Sequence, residues 1–306
     1  MSGVNLFDRA TLDIPALFQK ESSFKTVRNP LAPVYQSGLL PLKWRKYLSM
    51  LLTQTNADVF WFHEFKHYWS KTLGLRPMWG VEDFYYLRGH YRAYHQDAEM
   101  EDQSVGGHLK AWQSPKLIYF LLQQVYVESR YKKTDVLDLV QRYTPRRPQR
   151  FLEYGAGIGS ITKTILEFDK KLGKSEFVLM DIPNLAFHYA KTRYAKEKNI
   201  HCRTLQESEG LQPPIEEKFD TIFCTTVYEH LNSPIETSRR FLEMLKPGGH
   251  LVFDYVKSDA DGLDTIAGLK ERRETLEFLS ENFEFLNRCD LDLDESVPLV
   301  IGRKKN

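Results

Sequence analysis

Two carboxylates and three glycines are spaced so that they can hold one ligand between them. A short apolar run ends in Glu153, and the next one ends in Asp181. Between them stand Gly155, Gly157 and Gly159 at alternate positions. Glycine lets a ligand approach the main chain, and the helix predicted to follow offers unpaired N–H groups. Because a carboxylate after the second strand accepts hydrogen bonds from both hydroxyls of a ribose, the pattern predicts a nucleoside-binding βαβ unit.

The spacing of the glycines separates two kinds of nucleoside site. The dinucleotide fingerprint G-x-G-x-x-G needs its third glycine at position 160, whereas here Gly159 comes one residue earlier. The carboxylate of Glu153, two residues before the first glycine, suits a positively charged ligand. These residues resemble the first motif of the class I S-adenosylmethionine-dependent methyltransferases, a strand ending in Glu or Asp followed by G-x-G-x-G. Tyr154 departs from the small aliphatic residue usual in that motif.

Further segments resemble later motifs of the same family, in the same order. They are a fourth strand with its loop at Phe219–Leu231, a helix, Leu-Lys-Pro-Gly-Gly turn and fifth strand at Phe241–Phe253, and two last strands at Phe283–Cys289 and Pro298–Gly302. The resemblance covers roughly half the chain, from about Gln149 to Lys304. Within it, strands are predicted over 150–154 and 176–181 and a helix over 263–281. It implies an α/β fold with a Rossmann-like, seven-stranded, mostly parallel sheet that ends in an antiparallel hairpin.

The resemblance implies S-adenosylmethionine as the cofactor and assigns the contacts with each part of it to particular residues. Glu153 is expected to orient the ammonium group, and Gly155 and Gly157 to admit the methionine portion. Asp181 is expected to bind the ribose hydroxyls, and Ile182 to pack on the adenine. The full expected set, with Gln206 and Glu207 near the adenine edge and the backbone of Thr225 at the methionine end, is Glu153, Gly155, Gly157, Gly159, Asp181, Ile182, Gln206, Glu207 and Thr225.

Catalysis by the predicted sheet domain is expected in the loop after the fourth strand, where Tyr228, Glu229 and His230 follow one another. A general base helps methyl transfer when the acceptor is a hydroxyl or an acidic carbon. Imidazole suits that task by its near-neutral pKa, so His230 and Glu229 are the candidate bases and Tyr228 a candidate for orienting the acceptor. The alternative for the Glu-His pair is a structural or cofactor-supporting role.

The first part of the chain lacks the alternation of strands and helices that follows it. We predict a mainly helical domain over residues 1–145 and the cofactor-binding domain over 146–306, joined by the proline- and arginine-rich segment 144–149. The many aromatic residues between Trp61 and Tyr94 are expected to form mostly a helical core. We also expect these helices to cover the acceptor site as a lid. Dimerisation is a second role, compatible with the first, and a homodimer is the partner that it implies.

Metal binding is not expected. His63-Glu64-Phe65-Lys66-His67 matches the H-E-x-x-H zinc pattern, but no third ligand is evident and the pattern is short. An amphipathic helix explains it more simply, with a metal or substrate contact as the alternative. The same two interpretations apply to His90, His95 and His108, and any of them is also a candidate base over the pocket. The three cysteines stand far apart and have no metal-ligand spacing.

Charge and hydropathy narrow the class of acceptor. The net charge is +1, and no basic half of the chain indicates a nucleic-acid partner. Met1–Leu17 lacks a signal-peptide pattern, and no apolar run is long enough for a membrane span, so a cytoplasmic location is expected. The preferred hypothesis is methylation of a small, partly apolar molecule such as a secondary metabolite or sugar, with O-methylation favoured over C- or N-methylation. A nucleic-acid methyltransferase and a non-catalytic cofactor-binding scaffold are the alternatives.

Overall fold

Seven strands form one sheet in the order β3-β2-β1-β4-β5-β7-β6. The computed structural model describes residues 28–95, 100, 102–114, 117–257 and 262–305, and the side chains of 93–95 lie outside that description. The predicted N-terminal segment Met1–Leu17 also lies outside it. The strands are β1 Arg150–Tyr154, β2 Glu176–Asp181, β3 Ile200–Thr204, β4 Phe219–Cys224, β5 Leu245–Tyr255, β6 Phe283–Phe285 and β7 Val297–Lys304. Strands β1 to β5 pair in parallel, and β7 pairs antiparallel with β5 and β6. The predicted sheet is confirmed.

Twelve α-helices are present within the described ranges. Those before the sheet are α1 Ala32–Gln36, α2 Leu42–Gln54, α3 Phe60–His67, α4 Val81–His95, α5 Val105–Trp112, α6 Ile118–Arg130 and α7 Thr134–Tyr143. Those within it are α8 Ser160–Phe168, α9 Leu185–Tyr194, α10 Pro234–Met244, α11 Ile266–Lys270 and α12 Arg272–Asn282. A π-helical turn, Tyr68–Thr72, continues α3. None of the described helices has the length and apolar character needed to cross a bilayer.

Alternate residues of the strands face two different helical layers, as a sheet buried on both sides requires. Leu152, Val178 and Ile222 share a core with the buried side chains of α10 and α12. Phe151 and Phe223 face the other way, into a core that also holds buried side chains of α1, α7, α8 and α9. Helices from before residue 145 therefore cover part of the sheet itself.

The aromatic residues of the first half form a third core, as predicted. Trp61, Phe65, Tyr68 and Phe84 are buried in it and contact one another at ring distances typical of aromatic packing. Tyr189 of α9 belongs to the same cluster. This core therefore packs α3, α4 and α6 against the half of the chain that contains the sheet, while Trp79 and Tyr86 are exposed outside it.

Several predicted boundaries need correction. Helix α7 begins at Thr134, with Lys133 in the N-cap position and no side-chain cap. The helix predicted over 263–281 is divided into α11 and α12 at Glu271. The predicted turn Lys246–Gly249 lies inside β5, where the pairing with β4 shifts register between Phe219 and Thr221. A bulge therefore accommodates the glycines without ending the strand.

Candidate functional site

A cleft opens where β1, β2 and β4 end, the edge at which open α/β sheets bind their ligands. It contains about 690 Å³ of free space, including a part open to solvent. Its wall combines the loops after these strands with side chains of α5 and α6. The lining residues used below are His108, Trp112, Phe120, Gln124, Gly155, Gly157, Asp181, Ile182, Leu205, Leu211, Thr226, Val227, His230, Leu231 and Asn232.

The glycine loop has the backbone conformation that the sequence predicts. Gly155, Gly157 and Gly159 have φ angles of 63°, 52° and 75°. A Cβ on Gly155 would collide with Val227, and one on Gly157 would collide with the carboxamide of Gln124. Side chains are therefore excluded by backbone strain and by space together. Gly155 and Gly157 line the cleft.

Asp181 occupies the position expected for a ribose-binding acid. It lines the cleft at the end of β2, and its two oxygens accept hydrogen bonds from the N–H groups of Gly157, at 2.6 Å, and Ile182, at 2.7 Å. Burial raises the pKa of Asp181 to about 7, although these two hydrogen bonds act in the opposite direction. The carboxyl therefore changes charge near neutral pH.

Glu153 lies beneath the glycine loop. Its Oε1 accepts from the N–H of Ile161 at 3.0 Å, and its Oε2 accepts from the N–H and the hydroxyl of Thr162 at 2.9 and 2.6 Å. The carboxylate thus satisfies free N–H groups in the first turn of α8. Burial nevertheless raises its pKa. Its side chain is not part of the cleft wall, and its contact with the ammonium group stays a prediction.

In the loops after β3 and β4, the residues that line the cleft are in part the sequence neighbours of the predicted ones. Ile182 and Leu205 line the cleft, whereas Gln206 and Glu207 are exposed at the surface after β3. After β4 the lining residue is Thr226, which has a φ of 57°, while Thr225 is half-buried next to it. Roles for Gln206, Glu207 and Thr225 stay predictions.

His230 is the titratable residue of the β4 loop that lines the cleft. Its Nδ1 lies 2.8 Å from Oδ1 of Asp264 and 3.3 Å from the carbonyl oxygen of Leu263. Because both neighbours accept hydrogen bonds, Nδ1 carries the proton and Nε2 of the neutral ring has the free lone pair. Burial lowers the pKa of His230, but the hydrogen bond to Asp264 and the nearby carboxylates outweigh that effect and raise it. Asp264 follows His230 by 34 positions and carries no sequence signal that connects the two.

Tyr228 and Glu229 do not line the cleft. Tyr228 is fully buried, stacks on Tyr255 at 4.9 Å and contacts the hydroxyl of Ser238 at 3.0 Å. Glu229 is buried outside the cleft wall, and burial raises its pKa to about 7. Its Oε1 is 3.9 Å from Nε2 of His230. Catalytic roles for these two residues stay predictions.

Helix α5 contributes two buried side chains to the cleft wall. Trp112 stands edge-on to the ring of His230, with 5.2 Å between ring centroids, and packs in the same way on Phe120. His108 is 5% exposed, and burial together with the charge of His230 lowers its pKa to about 4. The imidazole of His108 is therefore neutral at physiological pH. The sequence analysis included His108 among three histidines, and its place in the cleft separates it from exposed His90.

The H-E-x-x-H segment has a structural role through its glutamate. Glu64 accepts from Nε of Arg193 at 3.0 Å and lies 3.3 Å from Nζ of Lys163. Arg193 also forms two hydrogen bonds with Glu128 and one with the carbonyl oxygen of Ile158. This buried ion cluster joins α3 and α6 to α9 directly behind the glycine loop. Among the residues that the structure describes, no group of three or more His, Cys, Asp or Glu side chains is arranged to hold a metal.

Comparison with known proteins decides the family. Residues 126–290, more than half of the chain, match the family model described as a methyltransferase domain. This protein belongs to that family. It is a class I methyltransferase, and S-adenosylmethionine is its methyl donor. The cleft fits such a nucleoside, because the carboxylate of Asp181 can accept hydrogen bonds from it and the adjacent glycine loop has no Cβ atoms in the way.

The methyltransferase is similar over part of its length to curated tRNA U34 carboxymethyltransferases. It is 31% identical to that of Syntrophotalea carbinolica over 118 residues, 38% of this chain and 35% of the relative. It is 29% identical to that of Helicobacter pylori strain P12 over 143 residues, 46% of this chain and 53% of the relative. The match thus spans about a third to a half of these relatives. Among solved structures, the N-methyltransferase NodS from Bradyrhizobium japonicum WM9, in complex with S-adenosyl-L-homocysteine, has a TM-score of 0.43 at 20% identity, covering 58% of this chain and 88% of that one.

We expect the affinity of the methyltransferase for S-adenosylmethionine to fall as the pH drops below about 7. The sequence predicts that the ribose hydroxyls donate to an ionised Asp181, and such binding lowers the pKa of a carboxyl whose pKa burial raises to about 7. Below that pH a proton must leave on binding, which costs up to about tenfold in affinity per pH unit. Calorimetry in buffers of different ionisation enthalpy measures this proton release. An Asp181→Asn variant should bind weakly with no such pH dependence, and a flat profile for the wild type would contradict the assignment.

Proposed function

We propose that this methyltransferase transfers a methyl group to the hydroxyl of a small, partly apolar acceptor, with His230 as the general base. The observation that carries the proposal is the pair of His230 and Asp264 at the edge of the cleft, with 2.8 Å between Nδ1 and Oδ1. Asp264 fixes the tautomer and orientation of the imidazole, which leaves Nε2 to accept a proton. A hydroxyl acceptor needs such a base, whereas an unprotonated amine acceptor does not.

The lining of the cleft supports a small, partly apolar acceptor. Phe120, Leu211, Val227 and Leu231 contribute apolar surface to it. None of the described residues that line the cleft is a lysine or an arginine. A site that holds nucleic acid against its phosphates requires such cations. We propose that α5 and α6 close the acceptor side and exclude water, the lid role expected for the first half of the chain.

The residues of the cleft and the bound cofactor together account for every bond and proton in the proposed methyl transfer. When bound, S-adenosylmethionine supplies an electrophilic methyl group on a sulfonium whose sulfur keeps the electron pair of the broken C–S bond. His230 accepts the hydroxyl proton at Nε2, so that the acceptor oxygen can form the new O–C bond. Asp264 stabilises the resulting imidazolium charge, which is lost later as a proton to solvent. Asp181, Gly155 and Gly157 hold the nucleoside and orient it for in-line transfer.

Addition of S-adenosylmethionine is expected to raise the Tm of the wild-type protein, and Asp181→Ala is expected to abolish that shift. A ligand that binds only the folded state stabilises it by about 2.7 kcal/mol at a hundred times its Kd. Differential scanning fluorimetry measures the shift, and release of S-adenosylhomocysteine across a panel of phenols, enols and carboxylic acids measures turnover. Binding without turnover on any acceptor would favour the scaffold alternative. Absence of any shift in the wild type would refute the proposed cofactor site.

A nucleic-acid acceptor is the second candidate, and the tRNA-modifying relatives are the observation that favours it. Methyl transfer to unmodified tRNA transcripts tests it directly. We expect no incorporation of labelled methyl groups into RNA at about 0.15 M salt, because the described residues that line the cleft include no lysine or arginine. Incorporation that saturates with tRNA would replace the small-molecule proposal.

A further inference from the structure

Three side chains in the cleft wall carry a buried polar atom that has no hydrogen-bond partner within the described ranges. These atoms are Nε1 of Trp112, Nδ2 of Asn232 and Nδ1 of His108. Trp112 and His108 are 7% and 5% exposed. Buried polar atoms are rarely left without a partner, since each one loses its hydrogen bonds to water on folding. A cluster of them around one cleft therefore indicates a ligand that supplies the partners.

The chemistry of the first two atoms specifies what that ligand offers. An indole nitrogen can only donate a hydrogen bond, and the carboxamide nitrogen of Asn232 also only donates. Each therefore needs an acceptor atom as its partner, for which an oxygen with exposed lone pairs is suited. The ring centroids of Trp112 and His230 are 5.2 Å apart, so an atom bound by the indole lies in the same part of the cleft as the proposed base.

The surroundings of these donors narrow the class of molecule further. Phe120 packs on Trp112, with 5.1 Å between ring centroids, and Leu231 and Val227 contribute apolar surface to the same cleft. No lysine or arginine lines the cleft among the described residues, which favours a neutral oxygen over a carboxylate at these donors. A carbonyl oxygen on an otherwise apolar skeleton satisfies all of these conditions.

We propose that Trp112 and Asn232 bind a carbonyl oxygen of the acceptor that lies beside the hydroxyl methylated at His230. The acceptor class is then an apolar ring or chain with a hydroxyl conjugated to a neighbouring carbonyl group. This inference rests on the proposed function and adds a specificity-determining pair to it. As the hydroxyl loses its proton to Nε2, part of the negative charge moves to the carbonyl oxygen. The two donors stabilise that charge in a site with little water.

His108 completes the polar side of this cleft. Its neutral imidazole can donate from one nitrogen and accept at the other, and its ring lies 6.3 Å from that of Trp112. It is therefore suited to hold a water molecule or a second polar group of the acceptor near the indole. The inference does not depend on which of the two it binds.

A pair of probes that differ in one oxygen tests the inference. ortho-Hydroxyacetophenone has the neighbouring carbonyl, and ortho-ethylphenol keeps the ring, the hydroxyl and the size without it. Binding of each is measured by ligand-observed NMR to protein saturated with S-adenosylhomocysteine, which gives a readout independent of turnover. We expect the wild type to bind the ketone roughly tenfold more tightly, the effect of about two hydrogen bonds.

Variants locate the source of that preference. Trp112→Phe keeps an aromatic ring against His230 and Phe120 but removes the N–H group, and Asn232→Leu removes the carboxamide at similar volume. Each is expected to reduce the preference for the ketone about threefold or more, with the Kd of S-adenosylhomocysteine unchanged as evidence of correct folding. If Trp112→Phe does not fold, Asn232→Leu alone carries the test. Phe120→Leu is the matched control, because it should weaken binding of both probes alike.

The outcomes separate this inference from the proposed function. Equal affinity of the wild type for both probes, no binding of either at about 5 mM, or an unchanged preference in both variants would overturn the inference. The proposed function would survive these results if the protein still binds S-adenosylmethionine and methylates acceptors that lack the carbonyl. Loss of the Tm shift in the wild type would remove both.

Discussion

Replacing His230 with alanine is expected to lower kcat for methyl transfer by roughly 10²- to 10⁴-fold, the range typical of a general base, while the Kd of S-adenosylmethionine changes less than about threefold. The imidazole lines the cleft, whereas the proposed nucleoside contacts belong to the glycine loop and Asp181. The loss should therefore appear in the chemical step. Single-turnover kinetics with a saturating acceptor measure that step, and calorimetry measures cofactor affinity.

The pH dependence of kcat distinguishes a base from a residue that only packs. The neutral imidazole is the active form, so kcat should fall as the pH drops through the pKa of His230, which lies above its usual value. Asp264→Asn removes the negative charge that helps to raise this pKa and should move the acidic limb of the profile to lower pH. His201→Ala, a half-exposed histidine on β3, is the control and should change neither kcat nor its pH profile. A His230→Ala enzyme with wild-type kcat would exclude the proposed base.

Replacing Arg193 with methionine is expected to reduce the free energy of unfolding by about 3–5 kcal/mol, because it leaves two carboxylates buried without their main partner. Glu64 and Glu128 are 1% and 3% exposed, and each lies within 3.0 Å of a guanidinium nitrogen of Arg193. Burial raises the pKa of Glu128, but Arg193 outweighs it and lowers that pKa. The Arg193–Glu128 ion pair therefore stabilises the folded state fully above the unfolded-state pKa of Glu128. This stabilisation is lost as the pH falls through the lower folded-state pKa. Urea denaturation measures the change.

Two further variants identify the cause of that loss. Arg193→Met combined with Glu64→Gln and Glu128→Gln removes the unpaired charges and should recover much of the stability. Arg142→Met breaks an exposed ion pair with Asp138 at 2.8 Å and should cost less than about 1 kcal/mol. A loss in Arg193→Met no larger than in this control would show that the buried cluster contributes little.

The sheet could be predicted closely because its signals are local. The predicted bounds of β1 and β2 agree with the structure at both ends, because their apolar runs stop at Glu153 and Asp181, within one residue of the strand ends. The conformations of Gly155 and Gly157 follow in the same way from their side-chain-free positions. Boundaries failed where a local signal competed with pairing, as at Lys246–Gly249, where strand β5 passes through a predicted turn.

The site itself was less predictable, because its members come from distant parts of the chain. Nothing in the sequence connects His230 with Asp264, and the hydrogen bond exists only because the segment before α11 folds back against the β4 loop. The place of Trp112 in the site likewise depends on a contact across the cleft, with the ring of His230. For Glu153 the motif indicated the residue itself. It did not indicate that N–H groups of α8 would donate hydrogen bonds to both of its carboxylate oxygens.

The buried ion cluster also limits how such enzymes can be recombined. Arg193 stands in the cofactor-binding half, and both of its carboxylate partners come from helices before residue 145. A chimaera that takes those helices from a relative without acids at positions equivalent to Glu64 and Glu128 would bury a guanidinium with no counter-ion. The two halves must therefore be inherited together, and a graft of new acceptor specificity onto this scaffold has to carry both acids with it.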